Sequence, residues 1–405
     1  MAEAVAYICQ ACGGPLAFDP ESGKLKCEYC DSLYTTEEAE KAYQEKMRKA
    51  QAKGEANDAW VTDGEGMKAY KCTNCSAELL TDANTGVICC PYCGKQTVAP
   101  TQFSGAIRPD LIIPFANTKE QAIGKYHEYY NKRMLLPKSF KESNHVSEIQ
   151  GVYVPFWMFN GTVKIKGKYD ASDTENRQDK EITRHYEVRR TGYTRYERVP
   201  EDASKRMPDS LMDSIEPFEL NELKPFAMSF LPGFLAEKFD VEEKDNLKRA
   251  QERIQKTISS MAKSTIQHEK IATISEEFKF TQDDTEYAML PVWLLTTEWE
   301  GKQYKFAMNG QTGKMIGDLP ISTPKFIGLL AVWIVIAFFL GYLFGGTFFG
   351  IVLALIIGIA SGTMMYGSMK PVAKSTSAQE YMKDEFKLTR KEEEFTKEEV
   401  RNKAN

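Results

Sequence analysis

The chain has 405 residues, with 52 Lys and Arg against 57 Asp and Glu for a formal net charge of −5, and it contains 27 Gly and 17 Pro. That length leaves room for two or three domains, and the glycine and proline content excludes a low-complexity or fibrous chain. The net charge hides an uneven distribution, which is clearest in the N-terminal cysteine-bearing segments.

Cys9, Cys12, Cys27 and Cys30 spell C-x2-C-x14-C-x2-C, and Cys72, Cys75, Cys90 and Cys93 spell it again 63 positions further on. Four thiolates in two knuckle pairs are the ligand set of a tetrahedral Zn2+ that staples a β-unit too small to build its own core. Such a set closes the coordination sphere, so both expected sites are structural rather than catalytic. The same offset superposes Tyr7 on Tyr70, Leu16 on Leu79, Asp19 on Asp82, Gly23 on Gly86 and Tyr29 on Tyr92. Ribbon 1 (residues 1–34) and ribbon 2 (69–100) therefore share a fold. Gly23 and Gly86 are expected in hairpin turns, and Gly13, Asp31, Ser76 and Gly94 are the small or turn-prone residues that follow each knuckle.

Disulfides compete with metal for these thiols, and Cys90-Pro91-Tyr92-Cys93 also matches a glutaredoxin-type redox pair. A redox pair needs a strand before it and a helix after it, whereas here a second CxxC lies upstream and GKQTVAP follows, so metal is the expectation. Cys89 aligns with Lys26 and is read as a strand thiol beside the ligand, one that could compete with Cys90.

The doubled frame resembles the transcription-factor-IIB-type zinc ribbons, a family tied by name to nucleic-acid machinery. Residues 1–34, however, hold Glu3, Asp19, Glu21, Glu28 and Asp31 against Lys24 and Lys26, while ribbon 2 sets Lys71 and Lys95 against Glu78 and Asp82. Phosphate neutralisation needs an excess of Lys and Arg, so nucleic acid is not the expected partner. Rigid protein-docking knobs need no basic face.

Between the ribbons, residues 35–68 form a charged helical linker. Thr35 and Glu38 stand at capping-box spacing ahead of AEKAYQEKMRKAQAKG, which stops at Gly54, and its charges nearly balance. From 101 to 322 the chain reads as an antiparallel α+β domain. A helix is expected from Asn117 to Leu136, ended by Pro137, with Ile123, Tyr126, Tyr130 and Met134 on one side. Hairpins are expected about Asn160-Gly161 and across Thr191-Gly192, and a second helix over 241–264 with Leu247, Ala250, Ile254, Ile258 and Met261 at helical spacing. Strands joined at Glu300-Gly301 and Asn309-Gly310 close the domain.

Little chemistry is visible in this middle region. Gly310-Gln311-Thr312-Gly313-Lys314 hints at a phosphate loop, but Met308 and Met315 replace the required glycine and Ser or Thr, so it is read as a hairpin turn. His127, His145, His185 and His268 lie far apart and outside any catalytic motif. No enzyme is expected.

From Phe326 to Met369 no residue is charged, about twice the ~20 residues that one bilayer-spanning helix requires. The expectation is a C-terminal transmembrane α-helical hairpin over 325–369, with helices near 326–344 and 348–367 turning at Gly345-Gly346. Lys305, Lys314 and Lys325 before it and Lys370, Lys374, Lys383 and Lys387 after it place both termini in the cytoplasm. The start, MAEAVAYICQACGG, reads as no signal peptide. Residues 370–405 read as a charged tail, frayed or ordered by a partner.

The layout resembles a family of bacterial membrane proteins with two transcription-factor-IIB-type ribbons, a middle domain and C-terminal transmembrane helices. The eight knuckle cysteines, PDLIIPF (109–115), GVYVPFW (151–157), NGQTGKMIGDLP (309–320) and the uncharged run carry that resemblance. It implies partnership with flotillin-like (SPFH) and phage-shock-type membrane-stress proteins. The expected whole is a multidomain cell-membrane protein with two spans: two β zinc ribbons with two structural Zn2+, an α+β middle domain and a helical hairpin. Its expected function is that of a membrane-anchored adaptor or scaffold, the alternative being a membrane-tethered nucleic-acid binder of replication or transcription. Composition and spacing assign no oligomeric state.

Overall fold

A computed structural model describes residues 7–51, 67–82, 90–94, 98–101, 107–131, 133–142, 148–177, 180–343 and 377–402, with isolated positions between 352 and 363. Strands β1 (Leu16–Asp19), β2 (Lys24–Cys27) and β3 (Leu33–Tyr34) precede helix α1 (Thr36–Gln51), followed by β4 (Met67–Cys72), β5 (Glu78–Asp82) and β6 (Val98–Thr101). After β7 (Leu111–Ile112), α2 (Lys119–Asn131) and α3 (Lys138–Glu142) come two long strands, β8 (Gln150–Arg177) and β9 (Lys180–Asp202). Then follow α4 (Asp209–Ile215), β10 (Lys224–Pro225), β11 (Leu235–Glu237), α5 (Glu243–Ser264), β12 (Lys270–Gln282), β13 (Glu286–Trp299), β14 (Lys302–Asn309), β15 (Met315–Gly317), α6 (Thr323–Leu343) and β16 (Lys387–Asn402). The chain divides into two compact units, one built from residues 1–154, 204–239 and 289–374 and the other from 155–203, 240–288 and 375–405.

The first unit contains both cysteine-bearing segments. β1, β2 and β3 form an antiparallel sheet of their own. β4 pairs with β5 and β6, and β5 also pairs antiparallel with β11, which runs parallel to the start of β8. Ribbon 2 is thus continuous with the body's sheet. Its neighbours enclose an aromatic core in which Phe115 stacks on Phe234 at 4.1 Å and meets Tyr153 and Trp293 edge-on. Ribbon 1 reaches the same cluster through Phe18, whose ring lies 5.5 Å from Phe230 and whose amide donates to Pro232 O. α1 begins in a reciprocal capping box, with Glu38 N donating to Thr35 Oγ1 at 3.2 Å and Thr35 N to Glu38 Oε2 at 2.9 Å. Thr118 and Gln121 cap α2 in the same way.

The second unit is a sheet in the order β12–β8–β9–β16, antiparallel throughout. α5 packs on one face, burying Ala250, Ile254, Ile258 and Ala262 with Val163, Ile165 and Val188 of the sheet. Arg253 ties helix to sheet by donating to Pro200 O at 2.8 Å and Glu201 Oε1 at 3.0 Å. Arg190, fully buried, pairs with Glu393 and donates to Thr265 Oγ1, which anchors β16. The pair thus joins a buried guanidinium to a carboxylate that reaches the surface.

Several expectations are corrected. The chain is mostly β-sheet rather than an α+β domain behind two ribbons. No hairpin turns form at Asn160-Gly161 or Thr191-Gly192, since β8 and β9 run on for 28 and 23 residues. A Cβ at Gly161 would meet Thr281 O at 2.4 Å and Tyr196 Oη at 2.5 Å, and one at Gly192 would meet the Phe386 ring at 2.3 Å. These glycines serve close approach across strands, not reversal. Residues 387–402, expected as a frayed tail, form β16 on the edge of β9.

Among the described residues no helix is long and apolar enough to cross a membrane. Most of 348–367, expected as the second span, lies outside the described residues, as do Gly345-Gly346. The transmembrane hairpin, the two-span membrane location and the cytoplasmic placement of both termini lose their basis accordingly.

Candidate metal centres

Each knuckle is built the same way. The residue four positions after its first cysteine turns into the left-handed region, with φ of +75° at Gly13, +56° at Asp31, +58° at Ser76 and +69° at Gly94. Its amide donates back to that cysteine's carbonyl, at 2.9 Å to Cys9, 3.0 Å to Cys27, 2.8 Å to Cys72 and 2.8 Å to Cys90. This loop aims further amides at sulfur, including those of Ala11 and Cys12 at Cys9 and of Tyr92 and Cys93 at Cys90. Gly23 takes the β1–β2 turn at φ +64° as expected, while Gly86 lies outside the described residues.

The knuckles bring the cysteines together as two tetrads, Cys9, Cys12, Cys27 and Cys30, and Cys72, Cys75, Cys90 and Cys93. Within each, all four Sγ atoms lie within 4.8 Å of one another. Sγ pairs stand at 3.6 Å (Cys9–Cys30), 3.4 Å (Cys12–Cys27), 3.6 Å (Cys72–Cys93) and 3.6 Å (Cys75–Cys90). A disulfide needs about 2.05 Å, whereas a tetrahedron with Zn–S bonds of ~2.3 Å has edges of about 3.8 Å. The donor set and its spacing fit a tetrahedral, thiophilic metal ion such as zinc. The Tyr34 hydroxyl, 3.2 Å from Cys9 Sγ, holds that thiol down at about 6, and the hydrogen bond with Cys90 holds Cys75 down at about 5. The partner thiols move the other way: hydrogen bonds with Cys30 and Cys27 push Cys12 up to about 12, and the hydrogen bond with Cys75 together with burial pushes Cys90 up. Cys89 lies outside the described residues.

The two tetrads differ in their surroundings. In ribbon 1, Cys12 and Cys30 are exposed, and Tyr29, between the two cysteines of its knuckle, is 76% exposed. In ribbon 2, Cys72, Cys90 and Cys93 are buried and Tyr92, the counterpart of Tyr29, is 2% exposed. The body grips both knuckles of ribbon 2. Arg206 donates to Cys75 O at 2.6 Å and Ser76 O at 3.0 Å, Thr296 Oγ1 lies 2.9 Å from Pro91 O, and Gln303 Nε2 donates to Cys93 O at 3.0 Å. Tyr92 Oη donates to Glu237, which also accepts from Ser204 Oγ at 2.9 Å. None of these holding residues carries a motif. They lie more than 100 positions from the cysteines they support, so only the fold identifies them.

Other candidate groups stay apart. His127 meets Tyr130, His185 meets Asp170 and His268 meets Asp173, while His145 lies outside the described residues. Gly310–Lys314 is a turn closed by Asn309, whose Oδ1 accepts from Gln311 N and Thr312 N.

Two four-cysteine centres, one open and one enclosed in a β-rich body, could each hold a metal ion such as zinc, an arrangement consistent with zinc ribbons. Over 334 residues the chain is 32% identical to the uncharacterized protein YdjG of Bacillus subtilis (strain 168), a match covering 81% of this chain and 93% of that one, and it belongs to the same family. No protein-family profile and no solved structure matches it.

Proposed function

We propose that this chain is a non-enzymatic docking adaptor whose ribbons are of the transcription-factor-IIB type, each holding one structural zinc ion. Ribbon 1 is the surface a partner protein meets, and ribbon 2 is a staple inside the body. The observation that supports this most is the contrast between Tyr29, 76% exposed, and Tyr92, 2% exposed, at equivalent places of the two repeats. Ile8 and Leu33 add further exposed apolar surface to ribbon 1, and exposed aromatic and aliphatic groups on a rigid support are what protein interfaces use as anchors. Among described residues the tetrads are the sole metal-ligating clusters, and four cysteine ligands leave no open coordination position for chemistry. Stress-response proteins of the flotillin-like or phage-shock type are the partners that the sequence resemblance suggests.

Two measurements test the proposal. Purified full-length chain is expected to carry two zinc ions, and fewer would remove the metal half of it. Tyr29→Ala with Leu33→Ala is expected to weaken capture of a purified phage-shock-type or flotillin-like protein tenfold or more. Unchanged capture would remove ribbon 1 as the docking surface.

A further inference from the structure

The second unit has one face covered by α5 and one face turned to solvent. On the solvent face, cross-strand register places Lys279 of β12 opposite Lys164 of β8, Lys164 opposite Tyr193 of β9, and Tyr193 opposite Lys387 of β16. One row of the sheet therefore reads Lys–Lys–Tyr–Lys across four strands. The next row adds Lys166 and Arg390 beside Glu277 and Thr191. Elsewhere on this face the cations are matched: Lys168 and Arg189 both pair with Glu187, Arg195 with Asp283, Arg390 with Glu392, and Lys387 with Asp384. Lys164, Lys166 and Lys279 are exposed and, among the described residues, have no carboxylate within ion-pair distance.

A like-charged pair directly opposite across two strands is unfavourable for the sheet. Lys164 and Lys279 form such a pair, with no acid between them. We propose that this face is a docking site for an extended acidic segment of a partner polypeptide. The inference deepens the docking function proposed above and in that sense rests on it, but the site lies in the other unit and uses none of the ribbon residues. An extended acidic chain lying parallel to β8 presents alternate carboxylates every two residues, about 6.7 Å apart, the same repeat that spaces Lys164 from Lys166. Nucleic acid suits the face less well. Its recognition favours unpaired arginines and open aromatic faces, whereas Arg195 and Arg390 are already paired and the Tyr193 ring has the Lys387 ammonium 5.9 Å from its centroid.

Fluorescence anisotropy of a labelled Glu-Thr repeat dodecapeptide with zinc-loaded full-length protein at low salt tests this. K164E combined with K279E is expected to weaken binding at least tenfold, and K164A combined with K279A severalfold, with circular dichroism unchanged. K302E, outside this sheet, is expected to leave binding intact. Peptide binding that ignores the Lys164 and Lys279 changes overturns the proposal. So does tighter binding of an oligothymidylate of equal charge, which would make the face a nucleic-acid site. Tyr29→Ala separates the two docking surfaces: it is expected to leave peptide binding unchanged, so that loss of ribbon 1 docking and loss of the basic row are read independently.

Discussion

Tyr92 donates its hydroxyl hydrogen to Glu237 Oε2 at 2.5 Å, from a position between Cys90 and Cys93 of the enclosed tetrad. Glu237 is 1% exposed, and its carboxylate is completed by Ser204 and, at 3.7 Å, by Arg206. Removing one partner of a buried carboxylate costs about 1–3 kcal/mol. Tyr92→Phe is expected to lower the full chain's stability by that amount in urea unfolding with metal present. Tyr29→Phe, at the equivalent exposed place, should change it by less than about 0.5 kcal/mol. Equal effects from the two substitutions would contradict the division into open and enclosed ribbons.

Metal removal should expose the same asymmetry. With Cys12 and Cys30 exposed and Cys72, Cys90 and Cys93 buried, a chelator added to zinc-loaded protein is expected to release metal in two phases, ribbon 1 first. Cys12→Ser should abolish only the fast phase and leave near-ultraviolet dichroism intact. Cys90→Ser should disturb the body. A single phase for both sites would be the contrary result.

The knuckle turns provide a third comparison. Gly13 and Gly94 share a left-handed conformation, but a Cβ at Gly13 meets nothing within 4 Å whereas one at Gly94 would lie 2.8 Å from Thr296 O. Gly13→Ala carries only the backbone penalty, about 1 kcal/mol. Gly94→Ala adds a clash with backbone that cannot swing aside, and is expected to cost clearly more in thermal or urea unfolding.

Acid should loosen the edge of the second unit. The Arg190 hydrogen bond holds Glu393 below the usual carboxylate range. A carboxylate whose folded pKa is depressed contributes stability that is present above its unfolded value, near 4.3, and is lost as pH falls through the folded value. Stability measured downward from about pH 5 should therefore decline, and Glu393→Gln should flatten that decline. Hydrogen exchange along 387–402 checks that the change lies at β16.

The two cysteine tetrads were legible because paired CxxC spacings are a local signal, so the eight clustered cysteines and the four knuckle turns could be located from the sequence. The capping box at Thr35 was legible for the same local reason, whereas the box of Thr118 and Gln121 emerged only in the structure. Gly161 and Gly192 were not, since a glycine needed for close packing against Tyr196 or Phe386 looks identical in sequence to one needed for a turn. β16 was missed because its partner, β9, lies some 200 positions earlier, and a charge-rich edge strand has no apolar alternation to reveal it. The difference between the two tetrads depends on Arg206, Thr296 and Gln303, and nothing near the cysteines announces those residues.

β16 also sets a schedule for the second unit. Arg190 and Glu393 are 203 positions apart, so β9 is synthesised long before the strand that covers it. Throughout that interval β9 presents an open row of backbone donors and acceptors to any neighbouring chain, a template for mispairing between nascent copies. Truncation ahead of residue 387 would make that transient hazard permanent.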